Sequence, residues 1–296
     1  MKKVLLIGSV VTDLFGKVTR MPKGNEDFNL LEQNSRIGGS VVTCSAVLNG
    51  FHFPFDTTCM IGTGVYGEFA EAYCTKENIP YVKSEDTAGC TMTITDGVGH
   101  TSVLKAPGCE YEVDEEQIFN LDSEEVGLAV LFDDVLNGES CDVIFRALED
   151  LGVPVLAVLS ENIAGVDEEV LDGLFSLNPS LFVKDDAIGM LMDDETDLSQ
   201  LAEELYEETH ASVYLPVEKE GIFCRNEDGS FIAPMNRRVN MDHVIAAFVT
   251  AVIAGIDEKN ALMFALHFGT LRAKGLPTPF DYEEQKHRLV EILKGC

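Results

Sequence analysis

The chain has 296 residues, with 51 Asp and Glu against 21 Lys and Arg, a formal charge of −30 with histidine neutral. Such an acidic excess excludes binding to nucleic acid, which rests on clustered Lys and Arg displacing counterions, and excludes anionic membrane surfaces for the same reason. Hydrophobic residues make up 46%, so the acidity coats an ordinary core and is not the composition of a disordered chain.

Apolar runs bounded by turn residues alternate with helical patterns, the signature of βα units on a mostly parallel sheet. Met1-Lys2-Lys3 leads into Val4 to Gly8, which reads as a first buried strand and is too short for a signal sequence. No run of about 18 uncharged apolar residues follows, so the expectation is a soluble, cytoplasmic protein. Leu14 to Val18 and Phe28 to Arg36, on either side of a polar loop with Pro22 and Gly24, read as two strands standing apart from the main sheet as a small lid. After Gly38-Gly39, Ser40 to Leu48 reads as a helix with a left-handed stop at Asn49-Gly50. Phe55 to Ile61 is strand-like and Glu68 to Glu77 helical; Thr91 to Thr95 pairs with Thr101 to Lys105 across Asp96-Gly97-Val98-Gly99 as a hairpin.

Later strands are expected at Gly127 to Phe132 or nearby Val143-Ile144, and at Val153 to Leu159, Leu181 to Lys184 and Ser212 to Val217. Helices are expected at Glu168 to Ser176, Asp197 to Thr209, Asp242 to Ile256, Lys259 to Leu271 and Tyr282 to Lys294. The acidic runs Asp193 to Asp197 and Glu203 to Glu208 read as solvated turns and helix faces. Eight cysteines are scattered without a C-x-x-C pair, which argues against a zinc or redox motif and for reduced, buried thiols. With no internal repeat or Pro/Ser-rich linker, one α/β domain over 1–296 is expected, its lid drawn from about 14–36 and 91–105.

Two constellations point to a ligand cleft. Gly8 to Asp13 ends the first strand, and in open α/β sheets the carboxyl ends of strands form the ligand crevice, where Asp13 can accept hydrogen bonds from a polyhydroxylated molecule. Arg36-Ile37-Gly38-Gly39-Ser40 leads into a helix; paired glycines allow close backbone approach, and the helix N-terminus presents free N–H groups. A turn cap at Asp13 and a plain strand-to-helix turn are the alternatives.

This arrangement resembles, over nearly the whole chain, the ribokinase/PfkB family of carbohydrate and nucleoside kinases. Gly8 and Asp13 match the family's opening strand with its sugar-holding Asp, Gly38-Gly39 match its pair before a helix, and Ile61-Gly62-Thr63-Gly64-Val65-Tyr66-Gly67 is similar to its V-G-x-D-x-x-G turn. Val213 to Gly221 resembles its V-x-T-L-G-x-x-G strand and loop, and Asn240 to Gly255 falls at its D-T-x-G-A-G-D-A-F signature. The resemblance implies a ribokinase-like three-layer α/β/α domain with a small β-sheet lid, ATP and Mg²⁺, and a sugar or nucleoside acceptor held by Asp13, Gly38, Gly39 and Thr43.

The signature itself departs from the family. Aligned on Ala247-Phe248, His243, Val244 and Ile245 replace the Gly-Ala-Gly of the anion hole, and Ala246 replaces the Asp that takes the proton from the acceptor hydroxyl. Loss of a positioned general base typically removes about 10²–10⁴ in rate, and loss of the anion hole weakens stabilisation of the transferring phosphoryl group. Lys184 and Ala187 stand at the family's N-x-x-E positions, where Asp185 and Asp186 remain as metal-attracting carboxylates; Glu218 stands at a glycine of the nucleotide loop. Thr43 and Val11 replace two asparagines on the sugar side.

The mean field of the chain opposes ATP, with Lys184, Arg237 and Arg238 as counterweights and His243 nearby on the phosphate side. Asp242 is expected to cap the following helix. Three functional readings stay open: a homologue that keeps the acceptor cleft with impaired or absent catalysis, an active kinase using Asp242 as substitute base, and a non-catalytic structural or regulatory dimer. Unpaired edges of a lid sheet favour a homodimer.

Overall fold

The computed structural model describes residues 2–192, 197–217, 220–235, 239–272 and 279–295. In chain order the first half runs β1 (Lys3–Ile7), β2 (Val11–Lys17), β3 (Glu32–Gly38), α1 (Ser40–Phe51), β4 (Phe55–Thr57), β5 (Met60–Thr63), α2 (Gly64–Glu77), β6 (Val82–Thr87), β7 (Cys90–Thr95) and β8 (Thr101–Ala106). The second continues α3 (Glu115–Phe119), β9 (Val126–Phe132), α4 (Cys141–Leu151), β10 (Val155–Leu159), α5 (Glu168–Ser176), β11 (Ser180–Val183), α6 (Asp185–Leu191) and α7 (Leu198–Thr209). It closes with β12 (Val213–Val217), β13 (Gly221–Asn226), β14 (Gly229–Pro234), α8 (Met241–Ile253), α9 (Glu258–Arg272) and α10 (Pro279–Gly295).

The main sheet has the order β14-β13-β12-β11-β10-β9-β1-β4. It is parallel from β4 to β12 and ends in an antiparallel hairpin of β13 and β14. Val4 and Leu6 of β1 face one core, packed by α1, α2, α8 and α9, while Leu5 and Ile7 face the other, packed by α4, α5 and α7. Both faces of the strand are therefore buried, which is why its sequence is a continuous apolar run and not an alternation. Helices on both faces give the three layers expected.

A second sheet, β3-β2-β7-β8, stands over the carboxyl end of the first. β2 pairs antiparallel with β3 and parallel with β7, and β7 forms the expected hairpin with β8. This sheet occupies the place expected of the lid, and β8, exposed along its length, is one free edge.

Three local expectations change. α1 does not stop at Asn49-Gly50 but runs to Phe51, with His52 in the left-handed conformation at φ 62°. Gly50 serves packing instead: a Cβ there would lie 2.3 Å from the Tyr282 ring, which stacks edge-on against Phe51. Phe55 to Ile61 is not one strand, because the chain leaves the main sheet after β4 and β5 pairs with β6 in a separate two-stranded sheet. Val143-Ile144 lies inside α4, so β9 takes the strand position. The seven cysteines among the described residues are free, buried thiols, as expected, and no described helix is long and apolar enough to cross a membrane.

The packing at Gly50 makes a test. Gly50→Ala gains helix propensity of up to about 1 kcal/mol but drives a methyl into the Tyr282 ring, and overpacking of this kind costs about 1–3 kcal/mol. The expected outcome in urea denaturation is a net loss of stability; a gain would mean that α10 yields freely.

Candidate active site

The cleft is built where β1 ends. Gly8 has no room for a side chain, since a Cβ would lie 2.3 Å from Ser40 Oγ and 2.9 Å from the Phe132 ring. The next residue, Ser9, donates its N–H to Ser40 Oγ at 3.1 Å and to Asp134 Oδ2 at 3.3 Å, and its hydroxyl donates to the same carboxylate oxygen. Gly39 closes the turn at φ 100°, with space for a Cβ denied by Ser9 O at 2.4 Å. These contacts fix the N-terminus of α1 against the carboxyl end of β1, as the paired glycines suggested.

Asp13 lies on β2 directly opposite Arg36 of β3. Its Oδ2 accepts from Arg36 Nε at 3.4 Å, and Gly38 gives it room, for a Cβ there would be 2.2 Å away. Burial pushes the Asp13 carboxyl above its ordinary range, against the pull of the Arg36 guanidinium. The Gly62 to Gly67 turn supports this corner: Gly64 opens α2 at φ 87°, and Thr12 Oγ1 donates to Tyr66 O at 3.1 Å.

A cavity of about 380 Å³ lies between the two sheets. Its floor is made by the carboxyl ends of β1, β9, β10 and β11, through Ser9, Asp133, Asp134, Ser160 and Lys184. Gly39, Ser40 and Thr43 of α1 form one wall, Asp242 and Ile245 of α8 another, and Arg36, Thr91 and Lys105 reach down from the lid sheet. Asp133 is buried and accepts from Ser160 N–H, from Ser160 Oγ at 2.8 Å and from Asn162 Nδ2 at 3.3 Å. Burial pushes its carboxyl up to about 6, against those hydrogen bonds and with the neighbouring Asp134 adding to the rise. Burial also raises Asp134, which hydrogen bonds from Ser9 and Ser40 oppose.

The opposite wall carries an ion pair, Lys184 Nζ to Asp242 Oδ1 at 3.0 Å. Burial pulls the Lys184 ammonium down, but Asp242, Asp186 and Asp133 together hold it above its ordinary value. α8 begins at Met241, and Asn240, not Asp242, caps it: Asn240 Oδ1 accepts from His243 N–H at 3.2 Å. Asp242 is thereby freed for the first turn, facing Lys184. Ala246 lies one turn further on in the same helix, wholly buried in the core, and it is Ile245 that faces the cavity.

The structure thus brings Gly39, Thr43, Lys184, Asp186 and Asp242 to one cavity. Asp13 and Gly38 stand together at its edge behind Arg36. Asp185 starts α6 on an exposed position beside Asp186, and His243 sits half-buried in the first turn of α8. Arg237, Arg238 and Glu218 lie outside the described residues. Among the described residues no group of three or more His, Cys, Asp and Glu side chains is placed to hold a metal ion by itself. Asp133, Asp134, Ser160, Asn162, Lys105 and Tyr111 were not singled out from the sequence. The first three follow the rule that marked Asp13, as polar residues at the carboxyl ends of buried parallel strands.

The buried Asp133 carboxyl sets a pH dependence. Its folded-state value lies above that of the unfolded chain, so the native state binds the extra proton between about pH 4 and 6, and this group's contribution to stability falls as pH rises through that window. At about 1.4 kcal/mol per pKa unit, the expected gain between pH 7 and pH 4.5 is ~2 kcal/mol. Paired urea denaturations of wild type and Asp133→Asn check it: the stability of wild type minus that of the variant should rise by that amount at the lower pH, and a constant difference would count against the raised carboxyl.

No family model matches the sequence, and no curated protein is similar to it by sequence. The structure is similar to ribokinase from Thermotoga maritima, with a TM-score of 0.78 and 17% identity, covering 98% of this chain and 100% of that one. Arabidopsis thaliana ribokinase, complexed with ribose and ATP, matches with a TM-score of 0.78 at 16% identity over 97% of this chain and 99% of its own. A nucleoside kinase of Burkholderia thailandensis in complex with inosine matches at 0.69 and 15% over 96% and 97%. With a TM-score of 0.78 over nearly the full length of both chains, the chain has the ribokinase-like fold.

Proposed function

We propose that the cleft is an acceptor site for a sugar or nucleoside, and that the arrangement supports slow phosphoryl transfer from ATP with Asp242 as the general base. The observation that carries this reading is the start of α8 at Met241. In the ribokinase/PfkB pattern the base directly follows the last glycine, where the helix begins. That station belongs here to Asp242, beside the cavity, while the register that pairs Ala246 with the base places it a turn too deep. A carboxylate facing the cavity from a first helical turn can take a proton from an acceptor hydroxyl.

Two features argue for a reduced rate. The Asn240 side chain occupies the His243 N–H, one of the donors that a phosphoryl oxygen would otherwise use at a helix N-terminus. Lys184 also holds Asp242 in an ion pair, which competes with the acceptor hydroxyl for the carboxylate. Asp186 in the cavity lining suits a Mg²⁺ carried in by the nucleotide, since Mg²⁺ is commonly held by one or two carboxylates together with substrate phosphates. Bound in that way, Mg²⁺ would supply neutralisation of phosphate charge. Localisation in the cytoplasm belongs to the same reading.

The protein is further proposed to pair with a second copy through the lid. Its outer face carries a groove of about 440 Å³ among Leu14, Leu30, Met92 and Ile94, and Leu30 and Met92 are 47% and 38% exposed. Sedimentation should give a mass of twice 32.4 kDa that Met92→Asp lowers to one; a monomer at all concentrations overturns the pairing.

Thermal-shift and turnover measurements test the acceptor site. A sugar or nucleoside at 100 times its dissociation constant should stabilise the protein by about 2.7 kcal/mol. With ATP and Mg²⁺ the expected turnover lies below the usual kinase range of about 1–100 s⁻¹, and Asp242→Asn should lower it about 10²–10⁴-fold while acceptor binding persists. Unchanged turnover in that variant removes Asp242 from the chemistry. Failure of every sugar and nucleoside to bind favours the non-catalytic reading.

A further inference from the structure

A second cavity, of about 700 Å³, adjoins the first. The two share Lys105, Tyr111, Asp134, Glu161 and Asn162 in their walls. Between them runs a bridge from the lid to the body, Lys105 Nζ donating to Asn162 Oδ1 at 3.1 Å. Asn162 is itself held by bonds to Asp133 and Ser160 on one side and by Asn137 Nδ2, donating to its carbonyl at 3.0 Å, on the other. The bridge therefore divides one continuous space into two chambers.

The two chambers differ in chemistry. The first is lined by hydroxyls, carboxylates and ammonium groups, suited to a polyhydroxylated ring. The second adds Pro107, Met190 and three glycines to the Tyr111 ring. Tyr111 is half-buried, and burial pushes its hydroxyl up to about 12, so it stays neutral. An aromatic ring and a thioether offer flat, polarisable contact to the face of another ring. Glu112 and Glu161 also line this chamber; they can accept from ring N–H donors and repel a phosphate.

We infer that the acceptor is an unphosphorylated nucleoside, its sugar in the first chamber and its base under the Lys105 bridge against Tyr111 and Met190. This rests on the acceptor reading above and narrows it: a free pentose leaves the larger chamber empty, and a second sugar ring would set hydroxyls against Pro107, Met190 and the Tyr111 ring.

Calorimetric titration of the full chain without ATP tests the inference with adenosine, inosine, cytidine, ribose and maltose. At least one nucleoside should bind tenfold or more tighter than ribose. Met190→Trp, at an exposed position that lines only the second chamber, and Tyr111→Ala should each narrow that ratio at least fivefold, with circular dichroism confirming that both fold. Ribose or maltose binding as tightly as every nucleoside overturns the inference and leaves the acceptor reading standing, as does a ratio that Met190→Trp leaves unmoved. Binding of none of the five overturns both.

Discussion

The site hangs on the close approach of two backbone turns, Gly8-Ser9 at the end of β1 and Gly38-Gly39-Ser40 at the start of α1. Neither Gly8 nor Gly39 has space for a Cβ, and the serines that follow them meet at one hydrogen bond and share the carboxylate of Asp134. This junction joins the main sheet, the lid and a helix N-terminus at a single point. β2 and β3 can cover the cleft because they leave from one of these turns and return into the other. A side chain at either glycine would push the lid from the sheet and separate the strand end from the helix.

Electrostatics divides the cleft. The floor carries Asp133 and Asp134 in sequence, both with carboxyls raised by burial, an arrangement tolerable because serines and Asn162 donate to them. The α8 wall holds the ion pair of Lys184 and Asp242. In a chain of formal charge −30, Lys184 is a local reversal of the mean field at the carboxyl end of the sheet. Its partner Asp242 limits that reversal, so the pair brings both charges to the cleft wall and leaves little net positive field there.

Much of the fold was legible in the residues. Continuous apolar runs such as Val4 to Ile7 mark strands buried on both faces, and the Gly-Gly turn before Ser40 marks a helix starting at a ligand crevice. The breaks in that reading have local causes. Gly50 looks like a helix stop but answers to the Tyr282 ring, which comes from the far end of the chain. Phe55 to Ile61 is uniformly strand-like, yet the chain changes sheets within it, and local pattern carries no record of which partner strand a residue meets. Asn240 and Asp242 are both good caps, and only the direction of the incoming chain decides between them.

The sequence by itself determined the layered α/β architecture, the lid and the glycine junction, because these follow from periodicity and from residues that alone tolerate their backbone. It also marked Asp242 as a group of interest. Tertiary structure decided which carboxylates share the cleft, because strand ends far apart in the chain converge only when the sheet forms. It decided as well that Ala246 is a core residue and Asp242 a cleft residue: four positions along a helix are one turn, and where that helix starts depends on a capping hydrogen bond that spacing alone does not fix.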